Sequence, residues 1–571
     1  MDENVGNLER GDILVTGSTI TAIGKDLNAG DAYVIDATKM IAMPGMVDSH
    51  RHAWEGQLRR INPNATCLDD YSNATHFSFA KYYRPADIYV GNLLTALGAI
   101  DAGITTMIDN SHNSRTAAHA DAAVEALLDA GIRAIHASGA PVAGEWDKAH
   151  WPGNWQRLQE KYFKDNPDGL VSLGVMAQLE PELWAEARRL GLPIVTEFFG
   201  AEMASELKSL HQQGLLGPDN IFNHCTALPD EGWEILREAG VRVNVCPRSD
   251  SHYGIESGMF AIEAAQRHGI NPGLSVDNET SYSTDMFMEM RVAFYLQRVM
   301  GMHKQHCCDS GHSLTTLPAA QLLKSATVDG ATCAGLQDKV GSLTPGKQAD
   351  LILINAADLN LYPNGNTFGT VVHATERSNI DTVMIGGRIV KQNGKVLGVD
   401  SERLRAAIDE SREHLFAAAG YEPDIFAEKF LPLTTLNSQL AKGLGGDPVT
   451  AAFFSFTAGA SCLGIYSLLR GGLFTSLAAI PSQPVWSLAG GLIGACALFS
   501  YVVLAPKIGF SALLGLAIVG QLLSSQMIDH FGLLGAVRRP VSLLRLGGML
   551  VMLAGLAIML FGDRLSARFL P

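Results

Sequence analysis

Short apolar runs alternate with amphipathic stretches through the larger part of the chain. The runs IAMPGMVDSH, ITTMIDNSH, IRAIHASGAP, LVSLGVMAQ, LPIVTEFFG, NIFNHCT, VRVNVCPRSD and NPGLSVDNE are compact and apolar, and read as strands. Between them lie HADAAVEALLDAG, PELWAEARRLG, AEMASELKSLHQQG, DEGWEILREAG and GMFAIEAAQRHG, helical in pattern and each closing on a glycine. Eight strand–helix units in sequence predict a parallel (β/α)8 TIM barrel over residues 43–340. In that fold, catalytic groups sit at the C-terminal ends of the strands.

The barrel is flanked by a different pattern. GDILVTGSTITAIG reads as strand, turn and strand, and VGSLTPGKQADLILI and IDTVMIGGRIVKQNGKVLG read as strands and hairpins. Residues 1–42 and 341–398 are therefore expected to form one small composite β-sandwich. Residues 399–431 are polar and helical, a tail and linker.

Past residue 432 the pattern changes again. Val449–Leu468, Pro484–Pro506, Ile508–Ile528 and Leu546–Gly562 are nearly free of charge. Three of them reach the roughly 20 residues that cross a bilayer core, and the fourth needs Val541–Leu544 and a snorkelling Arg545. About four transmembrane helices over residues 432–571 follow, an all-α domain. Charge agrees: from Pro448 onward there are seven Lys or Arg against two acids, about +5, while the net charge is −15, leaving about −20 for the rest. An acidic soluble part joined to a basic apolar part points to a membrane and away from nucleic acid.

MDENVGNLERGD does not resemble a secretory signal, so the catalytic part is expected to face the cytoplasm. Loop charges are almost evenly divided between the two sides and add little to that orientation. The eight cysteines show no CxxC spacing and read as free thiols of a reducing compartment.

The chemistry starts at SHRH. Residues two apart on a strand point to the same side, so His50 and His52 can reach one metal from a barrel mouth. Spacing alone also fits two histidines in an exposed loop. Three further strand ends carry candidates: His224 in NHCT, Asp277 in LSVDNE and His112 in DNSH. A barrel brings all of these to one place.

PGMVDSHRH, GITTMID, HCT, SVD and GSLTPGKQADLILI together resemble the amidohydrolase superfamily, in its cytosine-deaminase and chlorohydrolase-like branch, over about residues 8–398. The resemblance implies a barrel with a composite sandwich and one divalent metal, zinc first, with iron or manganese as alternatives. It gives His50, His52 and Asp277 as ligands. Asp277 also takes a proton from the attacking water, and His224 orients the water or polarises the electrophile. The fifth strand departs from the family, which has a histidine where LPIVTEFFG carries Glu197. Where deaminases of the branch carry a glutamate proton shuttle, this chain has Gly200. Glu197 is expected to ligate the metal; the other reading is an altered, weakly active site. Glu202 is a candidate for the missing acid. Trp54, Glu55, Arg59, His112 and Asn113 are candidates for substrate contacts, Trp54 by stacking on a planar ring or as a packing residue.

The expected activity is hydrolysis of a non-peptide C–N bond in an amide or heterocycle, or of a C–halogen bond, through a metal-activated water. The alternative is a small-molecule exporter with a degenerate amidohydrolase-like binding domain.

LNSQLAKGLGGDPVTAAFFSFTAG, GQLLSSQMIDHFGLLG and RRPVSLLRLGG resemble the YdcZ-type inner-membrane family of the drug/metabolite transporter superfamily, over about residues 432–565. Gln521, Ser524, Ser525, Gln526, Asp529 and His530 are polar positions in or beside one apolar segment; they fit a transport path or helix–helix hydrogen bonding equally. Amidohydrolase relatives usually have a further strand before the segment like ERGDILVTG, and YdcZ relatives a further helix before LNSQL; both are reduced here. The chain thus reads as a fusion protein: multi-pass, with membrane lipid and a small-molecule substrate as partners, and homo-oligomerisation left open.

Overall fold

The computed structural model describes residues 5–256, 258–308 and 316–423, with scattered positions from 450 to 538. The chain divides into two units, residues 1–432 and 433–571. The four apolar stretches lie essentially outside the described residues, and among the described residues no helix is long and apolar enough to cross a membrane.

In the first unit, eight strands form one parallel sheet in sequence order: Met46–Arg51, Ile104–Ser111, Arg133–Gly139, Val171–Met176, Ile194–Phe198, Asn220–His224, Arg242–Val245 and Gly273–Leu274. The first two are buried at every position, as expected of parallel strands covered on both faces. The eighth strand is only two residues long. The sheet closes just beyond it, where the Asp277 amide donates to the His50 carbonyl at 3.0 Å and the His52 amide donates to the Asp277 carbonyl at 2.8 Å. This seam makes a barrel and joins the candidate ligands of its first and last strands by backbone.

Amphipathic helices return the chain between strands. Ala117–Ala130 and Asp230–Ala239 end on Gly131 and Gly240, with φ of +70° and +71°, a left-handed cap that costs little only at glycine.

A second sheet has five strands, ordered Lys395–Val396, Arg388–Gln392, Ile380–Ile385, Leu351–Asn355 and Met40–Pro44. The last comes from before the barrel and pairs antiparallel with Leu351–Asn355 from after it. Asp12–Thr16 and Thr19–Gly24 form a separate hairpin, bonded to the segment near residue 347 through Ile20 N–H to Lys347 O. Helix Ser401–Ala419, capped by the Asp400 side chain, is packed rather than free. Leu415 and Phe416 join the apolar cluster around Trp54 and Phe79, and Arg412 donates to the Gln57 carbonyl. The tail therefore buttresses the loop that follows SHRH.

Candidate metal centre

His50 lies on the last turn of pleat of the first strand and is fully buried; His52 follows it. His52 Nδ1 is 3.0 Å from the Asn110 carbonyl. A carbonyl only accepts, so the proton sits on Nδ1 and Nε2 faces the barrel mouth. The Asn110 and Asn223 amides lie 2.7 and 3.0 Å from His50 Nδ1 and hold that ring by its other edge.

Two carboxylates meet these rings. Asp277 Oδ1 is 3.1 Å from His50 Nε2 and 3.2 Å from His52 Nε2. Ser249 Oγ donates to Oδ2, leaving Oδ1 to the imidazoles. Glu197, on the fifth strand, places Oε2 3.6 Å from His50 Nε2 and 3.3 Å from His224 Nε2, with Oε1 3.8 Å from His52 Nε2. Asn110 Nδ2 donates to Glu197 Oε1 at 3.1 Å. His224 ends the sixth strand, and its Nδ1 lies 2.7 Å from Asp250 Oδ1. His224 and Asp277 both adopt left-handed φ, +67° and +72°, conformations that a non-glycine residue keeps only where its surroundings impose them.

The electrostatics call for positive charge at this point. Burial would raise Glu197 and Asp277, but the imidazoles of His50 and His52 hold both carboxyls below their usual range. Burial opposes charge on His52, yet Asp277 and Glu197 push it up to about 10. On His224 burial is likewise outweighed, with Asp250 among the groups that hold the imidazole well above its usual range. Protons or a cation can meet this demand. The buried His50 Nε2 has no aligned hydrogen bond, although carboxylate oxygens lie close by. One ligand atom from each of His50, His52 and Glu197 lies within 4.8 Å of the others, and the same holds for His50, His224, Cys246 and Asp277. Two imidazoles and two carboxylates on one point suit a divalent metal, zinc included.

The other expected residues separate. Trp54 is fully buried, its ring set edge-on to Tyr83 at 5.1 Å, so it packs within the body. His112 lies parallel to His52, with ring centroids 4.4 Å apart. Glu55 accepts from Tyr71 Oη–H at 2.7 Å, and burial pushes its carboxyl up to about 8. Arg59 is drawn away into an ion pair with Glu279, and Asn113 donates to the Ala80 carbonyl. Glu202 is exposed.

Gly200 has no room for a side chain: a Cβ there would meet Thr226 O at 2.4 Å and Leu228 Cβ at 2.6 Å. The close crossing of two loops leaves no room for the glutamate that the sequence resemblance leads one to expect at this position. Sequence reasoning did not single out Asn110, Asn223, Ser249, Asp250, Tyr71 or His76. Asn110, Asn223, Ser249 and Asp250 stand beside recognised residues at strand ends, the one signal that could have found them.

A barrel with this donor set is a metal-dependent hydrolase acting on non-peptide carbon–nitrogen bonds. Residues 191–390 match the amidohydrolase family. Residues 431–558 match the YdcZ inner-membrane exporter family. Among curated proteins, the chain is similar to a 5-methylthioadenosine/S-adenosylhomocysteine deaminase of Desulfitobacterium hafniense, 27% identical over 423 residues, covering 70% of this chain and 93% of the relative. It is also similar to a 5'-deoxyadenosine deaminase of Methanosarcina barkeri, 27% identical over 441 residues, 73% of this chain and 96% of the relative. Among solved structures, a zinc-bound adenosine deaminase from Xanthomonas campestris matches with TM-score 0.62 at 21% identity, covering 72% of this chain and 94% of that one. Atrazine chlorohydrolase from Arthrobacter aurescens, complexed with zinc, matches with TM-score 0.62 at 22% identity, covering 72% and 97%.

Proposed function

We propose that the enzyme hydrolyses an exocyclic carbon–nitrogen bond on a nitrogen heterocycle, with His50, His52, Glu197 and Asp277 holding one zinc ion. The observation that carries this is the convergence of those four side chains with the His224–Asp250 pair at one mouth of the barrel. When bound, the ion supplies Lewis acidity that brings a water's pKa down toward about 7. Asp277 accepts the proton released as water attacks the ring carbon, with its second oxygen anchored by Ser249. His224, kept protonated by Asp250, offers its Nε2–H to the electrophile, a role suited to the absence of an acid at Gly200. Hydroxide adds to carbon, the proton passes to the departing nitrogen, and an amine or ammonia leaves. The names of the relatives, which include deaminases of adenosine derivatives and a triazine chlorohydrolase, support a planar ring as substrate.

The match of residues 431–558 to an inner-membrane family, with the four apolar stretches, supports a multi-pass membrane protein; a cytoplasmic barrel is part of the proposal. Residues 1–42 with 341–398, 43–340, 399–431 and 432–571 are its proposed divisions.

The test pairs metal analysis with product release. Wild type should release ammonia or amine from a panel of amino-substituted purines and triazines, lose activity on chelation, and regain it with zinc. Glu197→Ala should lower metal content. Full activity after chelation and dialysis would sink the reading, and unchanged metal in Glu197→Ala would remove Glu197 from the ligand set.

A further inference from the structure

Beside the centre just described lies a second group of ligating side chains that takes no part in its chemistry. Glu55 comes from the turn after the first strand, His76 from the loop after helix Leu68–Ala74, and His112 from the loop after the second strand. All three are buried, with 0%, 5% and 6% of their surface exposed. One ligand atom from each lies within 4.8 Å of those of the other two. Glu55 Oε2, His76 Nδ1 and His112 Nε2 are each buried without a hydrogen-bond partner. A buried polar atom left unpaired is costly, and three in one place point to an occupant that satisfies all of them.

The group is also held in shape. Tyr71 Oη–H fixes one Glu55 oxygen and leaves the other free. The His112 ring is pinned between His52, stacked at 4.4 Å, and His76, edge-on at 4.5 Å. Orientation of ligands by neighbouring groups in this way is a mark of metal sites. A set of two imidazoles and one carboxylate is a common donor set for zinc-class ions, and three protein ligands leave a position open to a small molecule. Charge allows a second cation: Glu55, Glu197 and Asp277 bring three acidic side chains to adjoining positions, Arg51 and Arg59 are paired with Glu279, and the Arg115 guanidinium is held by the carbonyls of Ala80, Ala143 and Glu145.

We propose that Glu55, His76 and His112 hold a second divalent transition-metal ion, beside the first, with an open position for an oxygen or nitrogen of the substrate.

Metal stoichiometry tests this directly. The full chain, purified in detergent after expression with zinc and dialysed against metal-free buffer, is measured for metal per chain alongside His50→Asn, His76→Ala and the nearly isosteric Glu55→Gln. Wild type should hold two equivalents and each variant one. Wild type with one equivalent, lost in His50→Asn and kept in His76→Ala and Glu55→Gln, would overturn the second site while leaving the first intact. One equivalent that survives His50→Asn but falls in His76→Ala and Glu55→Gln would support the second site and fail the first. Two equivalents unchanged in both His76→Ala and Glu55→Gln would place the extra ion elsewhere and also overturn the proposal. If His76→Ala does not fold, Glu55→Gln carries the test. Cobalt(II) substitution gives a second readout: the visible absorption per chain should fall, with loss of one site's bands, in the same variants.

Discussion

Gly200→Ala is a small change with a large expected effect. The added Cβ would lie 2.4 Å from Thr226 O, 2.6 Å from Leu228 Cβ and 2.8 Å from Leu228 N. Two of these atoms are backbone, so no side-chain rotation relieves them, and residues 226–228 must retreat by roughly 1 Å. Overpacking of this kind costs about 1–3 kcal/mol. Residues 224–227 have little freedom to give, since His224, Cys225 and Ala227 already sit at φ of +67°, +51° and +49°, where each non-glycine residue carries about 1–2 kcal/mol of strain. The upper end, about 3 kcal/mol, is therefore expected. At about 2–4 °C per kcal/mol for domains of roughly 150–250 residues, and less for a larger one, the melting temperature should fall by several degrees. The same retreat moves His224 relative to Glu197, and a misplacement of about 1 Å can lower kcat on the order of 100-fold. The assay is a thermal melt at fixed scan rate beside kcat on the best substrate. A melt within one degree of wild type with kcat unchanged, where about 1 °C is the resolution assumed from that same scaling, would refute the close crossing. Gly200→Glu should behave worse still.

Asp250→Asn should leave metal content intact yet lower kcat by roughly 10–100-fold, the usual effect of losing a group that orients a site histidine; an unchanged kcat would take His224 out of the reaction. Glu289 gives a pH-dependent contribution: burial pushes its carboxyl up to about 7 from 4.5, in spite of Arg248. The folded state then holds a proton that the unfolded state has released, so this share of stability is complete below about pH 4.5 and is lost as pH rises through about 7, on the order of 3 kcal/mol in all. Denaturant midpoints between those limits should slope downward in wild type and less steeply in Glu289→Gln; equal slopes would contradict it. In cell fractionation the full chain should sediment with membranes and residues 1–432 should remain in the supernatant; a full chain recovered without detergent would count against the membrane reading.

Much of the barrel was legible because parallel strands, buried on both sides, leave unbroken apolar runs. Their ends were less so. VRVNVCPRSD reads as one strand, yet the strand stops at Val245 and Pro247 opens a short helix, the position where proline's missing N–H is harmless. That early turn swings Ser249 and Asp250 back onto Asp277 and His224, a consequence invisible to periodicity. Asn110 and Asn223 were hidden differently. They sit inside DNSH and NHCT, next to the residues singled out there, and only their contacts with His50 Nδ1 show that both face the imidazole. His76 lies in a connection with no period at all. Its meaning comes from Glu55 and His112, which are remote in sequence and meet it only in the folded chain.

The two departures at the fifth strand, Glu197 and Gly200, belong together. A histidine exchanged for Glu197 adds a negative charge among the ligands; a glutamate exchanged for Gly200 removes one a few residues on. Against the branch that the sequence resembles, the number of carboxylates near the electrophile would be kept and their work redistributed. On the proposed ligand set, an ion held by two carboxylates would be less electrophilic than one held by a single carboxylate, and would acidify water less. Compensation has to come from a proton donor that is already charged, and His224 meets this condition: Asp250 binds its Nδ1 at 2.7 Å and Glu197 faces its Nε2 at 3.3 Å. The carboxylate that would weaken the Lewis acid would thus also help keep His224 protonated. Glu197 therefore couples the two halves of the chemistry. A substitution there should change metal affinity and the protonation of His224 together, whereas one at Asp250 should change only the second.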